Sequence, residues 1–370
     1  MTHENRHMLA NICLTVCSLL AMMVSAEIGI RIRAYYEDKR LFSEFVKYTE
    51  RHPLPSGSEA GLGNMIRPVI NDRIIYELLP GLSVRYAGTE VTTNSGGFRG
   101  HDRSKGKNAN TIRIVGLGDS IMFGQGVADG GNYLSLLERL LAQNYKGKKW
   151  EVVNTGVPGY NTVMEVETLK EKGLAYKPDI VVVGFCVNDM SLPNFIRTKE
   201  DYFTLTKSFF VEFISQRISR VKKKFIALAF SPEIGRGRFE DDPAKVPPLY
   251  RDMVGWDAFE TELTELQEIS RQNNFDVVMF FFIPVSGGES QLQSRVVNLS
   301  KRLGFYIIDA GPSFNKYLSD NSTSWQNMFA VSSTDGHPNA EAHRIAANVL
   351  MADMAKQGII KRLLTAAGRR

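Results

Sequence analysis

Short apolar runs alternate with amphipathic segments along the chain from Thr111 onward. Five of these runs are rich in Val, Ile and Phe and are bounded by turn residues, which is typical of buried strands. They are Thr111–Gly116, Glu151–Asn154, Asp179–Phe185, Asp276–Ile283 and Phe305–Ile308. The segments between them have apolar positions at helical spacing: Tyr133–Tyr145, Val163–Tyr176, Trp256–Asn273, Ser290–Leu303 and Asn339–Lys356. This alternation predicts right-handed crossovers and a parallel sheet with helices on both faces, an α/β fold of three layers.

A long insertion, residues 190–255, interrupts the alternation after the third strand. Its segment Thr206–Phe230 has helical spacing. Its phenylalanines could pack on the domain or line a substrate opening, and packing is the preferred interpretation. They are Phe203, Phe209, Phe210, Phe213 and Phe225.

The N-terminal segment Met8–Ala26 contains no charged residue and approaches the roughly 20 residues that span a bilayer. Small residues at 24–26 would suit signal cleavage, so a cleaved signal peptide and an uncleaved anchor both remain open. Either predicts a membrane-anchored or exported protein, at the periplasmic or extracellular face. The positive charges after this segment outnumber those before it, which is typical of a cytoplasmic flank and is contrary to export. They are Arg31, Arg33, Lys39 and Arg40.

The pattern divides the chain into four parts. Residues 1–30 form the signal peptide or anchor, and residues 31–110 form a small membrane-proximal region with a linker. Prolines and glycines between Pro53 and Gly63 mark that linker, and short strands with turns follow from Ile74 to Arg99. Residues 111–358 form the sheet domain, and residues 359–370 form a basic tail.

Composition and charge exclude several classes of function. With 370 residues, 43% of them hydrophobic, the chain is long enough to bury a full core. The net charge of +5 is spread along the sequence without a basic stripe between aromatic residues, so no nucleic-acid partner is expected. The three cysteines, Cys13, Cys17 and Cys186, build neither a disulfide framework nor a thiolate metal site. No metal or organic cofactor is expected.

The glycine-rich stretch Gly116–Gly126, GLGDSIMFGQG, follows the first strand of the sheet domain. A dinucleotide fingerprint requires a glycine where Ile121 stands, and a Walker loop requires a lysine that this stretch lacks. Asp119 would also repel a polyphosphate. The stretch is therefore interpreted as the presentation of a nucleophile, Ser120, at the edge of the sheet where ligand sites form.

A serine nucleophile requires a base, a group that orients the base, and donors for the oxyanion. Three later blocks contain such groups. STDGHPNAEAH, residues 333–343, places Asp335 two residues before His337. NTGVPGYNT, residues 154–162, follows the second strand, and GFCVND, residues 184–189, ends the third. Each block lies at the same predicted edge of the sheet.

Together these blocks resemble the SGNH (GDSL-like) hydrolase superfamily over Thr111–Ala355, in the family's order. The resemblance implies a five-stranded, flavodoxin-like sheet, with Ser120 as nucleophile and His337 as base. Asp335 would orient the imidazole, although the commoner spacing is D-x-x-H and Thr334 stands at the expected position. The implied oxyanion donors are the N–H groups of Ser120 and Gly156 and the side-chain amide of Asn188.

Each residue has a structural alternative. Ser120 could cap the following helix, Gly156 and Gly159 could serve a turn, and Asn188 could bond its own loop. A metal site at His337 and His343 is disfavoured, because residues six apart do not share a helix face.

The predicted function is a serine esterase that cleaves O-acyl esters of a carbohydrate or a small lipid-like alcohol. One alternative uses the same residues as an O-acyltransferase for an envelope polysaccharide or exopolysaccharide. Another is a catalytically silent carbohydrate-binding domain that retains the fold. The expected partners are the ester substrate and a membrane that holds the N-terminal segment.

Overall fold

The computed structural model describes residues 3–37, 54–194, 196, 199–203, 208–211, 214, 239–285 and 288–366. The strands are β1 Ile66–Pro68, β2 Tyr76–Leu78, β3 Ser83–Tyr86, β4 Thr89–Thr92, β5 Thr111–Leu117, β6 Lys149–Asn154, β7 Ile180–Phe185, β8 Asp276–Phe281 and β9 Tyr306–Asp309.

The helices are α1 His3–Glu37, α2 Leu62–Met65, α3 Ser120–Phe123, α4 Tyr133–Asn144, α5 Thr162–Thr168, α6 Lys199–Phe203, α7 Gly255–Asn273, α8 Gly288–Arg302, α9 Gly311–Asp320, α10 Trp325–Met328, α11 Ala340–Lys356 and α12 Ile359–Ala366. Short stretches of 3₁₀ helix cover Leu174–Tyr176, Val187–Met190 and Pro248–Met253.

A five-stranded sheet forms the centre of the protein, in the order β6-β5-β7-β8-β9, and every neighbouring pair is parallel. The predicted three-layer α/β/α fold is therefore confirmed. The chain passes from β5 to β6 on one side and then crosses to β7 on the other. This reversal creates a switch point between the carboxyl ends of β5 and β7, where ligands bind in open α/β sheets.

Two apolar cores cover the two faces of the sheet. Alternate strand residues such as Ile114 and Val182 pack against α4, α9, α11 and α12. Their neighbours Val115 and Val181 pack against α5, α7 and α8 on the opposite face. Because both faces are buried, each strand reads as a nearly continuous apolar run.

Two predicted elements differ from the structure. The helix expected over Val163–Tyr176 is α-helical only to Thr168 and continues as one π turn, Leu169–Gly173, and one 3₁₀ turn. The expected basic tail, 359–370, begins with α12, whose apolar residues Ile359, Ile360 and Leu363 are buried in the core. The helix was not predicted because the charged residues Lys361 and Arg362 lie between these apolar residues and make the segment read as a basic tail.

The small region before the sheet domain contains two antiparallel strand pairs, β1 with β2 and β3 with β4. Arg73 joins this region to the sheet domain through ion pairs with Glu167 on α5 and Glu262 on α7. Near the other end of the region, Arg99 is 1% exposed in its side chain and donates to Phe123 O and Gly124 O at 2.6 Å each.

Helix α1 is long and apolar enough to cross a membrane, and its apolar side chains are largely exposed. The helix expected over Thr206–Phe230 lies almost entirely outside the described residues. Within the described part of the insertion, Phe209 is buried and lies under the Arg31 guanidinium of α1, 5.0 Å from ring centre to Cζ. This phenylalanine therefore packs against α1.

Candidate active site

The nucleophile loop is built by the end of β5 and the single turn α3. Asp119 caps this turn, because its Oδ1 accepts the N–H of Ile121 at 2.9 Å. Ser120 is the first residue of α3 and is half-buried. A side chain at Gly118 would collide with Met122 Cβ at 2.6 Å, so the tight approach of the loop requires glycine there. These constraints place the Ser120 hydroxyl at the carboxyl edge of the sheet.

Residues 217 positions apart in the chain meet at this edge. The Nε2 atom of His337 lies 2.9 Å from the Oγ of Ser120. The other ring nitrogen, Nδ1, lies 2.5 Å from Asp335 Oδ1. An imidazole that donates from Nδ1 to the carboxylate can accept the serine proton at Nε2. The geometry is that of a serine activated by an oriented base.

The Asp335 carboxylate is held in place by a second hydrogen bond besides that from the imidazole. Its Oδ1 also accepts the backbone N–H of His337 at 3.0 Å. Partial burial raises the pKa of Asp335, but the hydrogen bonds from His337 outweigh it, so the net pKa lies below the usual value. The carboxylate therefore stays ionised throughout the neutral range, as orientation of a histidine requires.

Two of the three expected oxyanion donors lie beside the nucleophile. Within the described residues, the Ser120 N–H has no acceptor, as is normal for the first N–H of a helix. The side chain of Asn188 is buried and contributes a hydrogen bond to Asp119, the residue before the nucleophile. Its Nδ2 atom also lies 3.4 Å from the carbonyl oxygen of Tyr160.

The third expected donor, Gly156, is used differently in this structure. Its N–H donates to Asn154 Oδ1 at 2.9 Å, which occupies the single donor of that peptide. A side chain at Gly156 would meet the backbone nitrogen of Phe123 at 2.7 Å. The structure therefore corrects the expectation for Gly156. This glycine allows the loop after β6 to approach α3 closely.

The neighbouring Gly159 has a peptide N–H that the sequence analysis did not single out. The Tyr160 N–H donates to Val157 O at 3.1 Å and closes a four-residue turn with Gly159 in its third position, at φ +85°. A type II turn requires such a φ at this position and therefore favours glycine. Among the described contacts the Gly159 N–H has no acceptor. The Pro158-Gly159 pair was the signal that could have identified it.

Three carboxyl groups are buried directly behind the nucleophile. Burial raises the pKa of Asp119, and it raises the pKa values of Asp189 and Glu165 well above their usual range, as does the proximity of the other carboxyls. Burial, Asp119 and Asp189 also raise the pKa of the Cys186 thiol. Cys186 is therefore held as a thiol and is disfavoured as a second nucleophile.

One group of carboxylates in the described residues is close enough together to be considered as a metal site. Glu167, Glu262 and Glu265 approach within 4.8 Å of one another. Arg73 and Lys170 form ion pairs with them and neutralise the charge that a cation would use. His343 is fully buried and accepts the Tyr133 N–H at Nδ1, 3.1 Å away, so it has a structural role.

One protein-family model matches most of the sheet domain. The model of the GDSL-like Lipase/Acylhydrolase family matches residues 117–345. Among curated proteins, none matches the chain significantly.

Several solved structures resemble the chain at low identity. One is a catalytic mutant of an acetylxylan esterase from Geobacillus stearothermophilus, 17% identical, with a TM-score of 0.41, covering 65% of this chain and 93% of that chain. Another acetyl xylan esterase is 17% identical, with a TM-score of 0.42 and coverage of 65% and 99%. An α/β hydrolase from the metagenome of Lake Arreo, Spain, is 17% identical, with a TM-score of 0.40 and coverage of 65% and 94%.

Proposed function

Because the chain belongs to the GDSL-like lipase/acylhydrolase family and is an ester-cleaving hydrolase, we propose that it cleaves O-acyl esters through an acyl-enzyme on Ser120. The proposed substrates are esters of a carbohydrate or of a small lipid-like alcohol. One observation carries the proposal: His337 Nε2 lies 2.9 Å from Ser120 Oγ, while Asp335 lies 2.5 Å from the other ring nitrogen.

The proposed reaction has two halves. In the first, Ser120 Oγ attacks the ester carbonyl and its proton passes to His337 Nε2, which then protonates the departing alcohol. In the second, water attacks the acyl-enzyme and gives a proton to the same nitrogen, which returns it to Ser120 as the carboxylic acid leaves. Asp335 stabilises the imidazolium that forms in both halves.

The oxyanion would form between three donors: the N–H groups of Ser120 and Gly159 and the side-chain amide of Asn188. The Asn188 amide would exchange its long contact with Tyr160 O, 3.4 Å, for the oxyanion. The support for Gly159 is its unengaged N–H and the position of its turn. Val157 N donates to Gly118 O at 3.1 Å, and Tyr160 O lies 3.4 Å from Asn188 Nδ2. The turn therefore lies between the nucleophile loop and Asn188.

Asn188→Ala is expected to lower kcat about 100- to 1,000-fold with little change in KM, because an oxyanion donor acts mainly in the transition state. The measurement is hydrolysis of p-nitrophenyl acetate by the full chain in detergent. Asn348→Ala, on the exposed face of α11, is the matched control and should retain activity. A kcat within threefold of wild type for Asn188→Ala would remove Asn188 from the oxyanion site.

Hydrolysis and acyl transfer are separated by the fate of the acyl group. The same substrate is incubated with and without oligosaccharide acceptors, and acylated products are followed by mass spectrometry. We expect release of the free acid without an acceptor. Product formation that requires the acceptor would instead select the transferase alternative.

We also propose that α1 is retained as a membrane anchor. The helix is continuous through residues 24–26, where signal cleavage would occur, and the next residue, Glu27, is engaged by the insertion. Its carboxylate accepts the N–H groups of Phe209 at 2.9 Å and Phe210 at 2.6 Å. Arg31 donates to Tyr202 O at 2.7 Å. The insertion therefore forms hydrogen bonds with α1 immediately after the uncharged segment.

An intact N-terminal segment is expected in the protein recovered from membranes of expressing cells. Alkaline carbonate should leave the protein in the membrane pellet, and the intact mass should include Met8–Ala26. The exposed apolar side chains of this segment are stabilised by lipid contact rather than by protein packing. A mature chain that begins at Glu27 would show that the segment is a cleaved signal.

A further inference from the structure

A line of side-chain contacts runs from the β3–β4 hairpin to the catalytic pair. The hydroxyl of Tyr86, the last residue of β3, lies 2.8 Å from Gln125 Oε1. The Gln125 Nε2 atom lies 3.2 Å from His337 Nδ1, and Gln125 also contributes a hydrogen bond to the Asp335 carboxylate. Tyr86 belongs to the region before the sheet domain, outside the residues 117–345 that the family shares.

The contacts determine which way the Gln125 amide faces. Because the His337 Nδ1–H is directed to Asp335 at 2.5 Å, the amide nitrogen of Gln125 is useful only as a second donor to that carboxylate. The amide oxygen must then face Tyr86, which donates to it. The opposite orientation would direct the amide oxygen at the Asp335 carboxylate and leave Tyr86 facing an N–H₂ group.

The catalytic pair needs support of this kind because it is open to water. The side chains of Asp335 and His337 are 29% and 30% exposed. They lie on the loop between α10 and α11, and Gly126 packs closely against Val331 of that loop. A carboxylate on such a loop gains a defined orientation only from the donors that surround it.

The hairpin that carries Tyr86 is held firmly against the nucleophile loop. Thr92 at the end of β4 donates from its N–H to Asp129 at 2.9 Å, and Arg99 pairs with the same carboxylate at 3.0 Å. The Tyr86 ring also packs edge-on against Phe123, with 6.1 Å between ring centres. Burial and the nearby Asp335 raise the pKa of Tyr86, so its hydroxyl remains a donor.

We propose that Gln125, oriented by Tyr86, is a positioning residue for the Asp335–His337 pair, so that the N-terminal region completes the active site. This inference rests on the proposed function of Ser120, His337 and Asp335. The β3–β4 hairpin positions Tyr86 beside the Gln125 amide. That amide orients the Asp335 carboxylate, which in turn orients the His337 ring. The region before the sheet domain is thus part of the catalytic unit.

The sharpest test is Gln125→Glu, which places a second carboxylate beside the imidazole. The charged or titratable groups that already interact with His337 are Asp335 in its own loop, Asp119 in the nucleophile loop and His343 on α11. Behind them, Tyr86 in the hairpin interacts with Asp335, and Arg99 interacts with His343. An added negative charge stabilises the imidazolium, so the base loses activity at a higher pH. We expect the acid limb of kcat/KM to move up by about one pH unit, with kcat at neutral pH about tenfold lower.

Tyr86→Phe removes one oxygen and is expected to lower kcat about three- to tenfold while KM stays within about twofold, because the amide is no longer held. The matched controls are Gln143→Glu on the exposed part of α4 and Tyr317→Phe on α9, and both should behave like wild type. All measurements use the full chain in detergent, with the melting temperature recorded for each variant.

Two outcomes would overturn the proposal: an acid limb that is unchanged in folded Gln125→Glu, or full kcat in Tyr86→Phe. Labelling of the wild type by a fluorophosphonate separates this failure from that of the proposed function. If Ser120 is labelled and the variants behave like wild type, only the positioning role is wrong. If Ser120 is not labelled, both proposals fail.

Discussion

Ser120→Ala is expected to lower ester hydrolysis between about 10,000- and 1,000,000-fold and to abolish labelling by a fluorophosphonate. Alanine removes the oxygen that the proposed mechanism acylates, while the N–H of residue 120 and the other proposed oxyanion donors remain. The fold should be unchanged, because the hydrogen bonds of the Ser120 side chain among the described residues are only those with His337 and Asp119. The measurements are p-nitrophenyl acetate turnover and the mass of the labelled protein.

Three further variants make this result specific. His337→Ala should lower turnover to a similar extent, because serine and histidine act as one unit. Ser294→Ala and His101→Ala change exposed residues and should retain both turnover and labelling. Substantial hydrolysis by Ser120→Ala, with a normal melting temperature, would show that another residue carries the acyl group.

Asp335→Asn is expected to lower kcat about 1,000- to 10,000-fold with a smaller effect on KM. The asparagine keeps the size of the side chain but cannot stabilise the imidazolium. It can also donate to Nδ1 and so favour the tautomer with the proton on Nε2, which is unable to accept from Ser120. Turnover of the same ester, measured at several pH values, provides the test.

Asp320→Asn is the control for this variant, because Asp320 forms an exposed ion pair with Lys316 on α9, away from the catalytic loop. It should leave turnover unchanged. A kcat for Asp335→Asn within tenfold of wild type would mean that the histidine is oriented by other groups. The lowered pKa of Asp335 determines the direction of the pH dependence. The carboxylate is ionised above that pKa, so its support for the imidazolium is lost only as the pH falls through it.

The unusual D-x-H spacing has a local explanation in the structure. One residue, Gly336, separates the acid from the base, so Asp335 Oδ1 can accept from both the backbone N–H and the ring of His337. The loop that carries them is closed by Val331 N, which donates to His337 O at 2.8 Å. One residue between the acid and the base is therefore enough for this contact in a tight loop.

The sheet could be predicted from the sequence because its strands are covered on both faces. Each predicted strand overlaps an observed one with boundaries that differ by at most two residues, as for Glu151–Asn154 against Lys149–Asn154. Helix α12 was missed for the converse reason. It covers the core with few apolar residues, and the basic residues between them have the composition of a solvated tail.

Local sequence by itself determined the order of strands and helices, the apolar N-terminal helix and the blocks that carry Ser120, Asn188, Asp335 and His337. It did so because burial and turn chemistry act over a few neighbouring residues. The sequence analysis did not reveal that the Gly156 N–H is engaged by Asn154, two residues away, while the Gly159 N–H is not. Tertiary structure alone decided that His337 lies beside Ser120, 217 positions earlier in the chain. It also decided that Tyr86 reaches Gln125 from the preceding region. Such contacts depend on the relative placement of segments far apart in the chain, which hydrophobic periodicity does not encode.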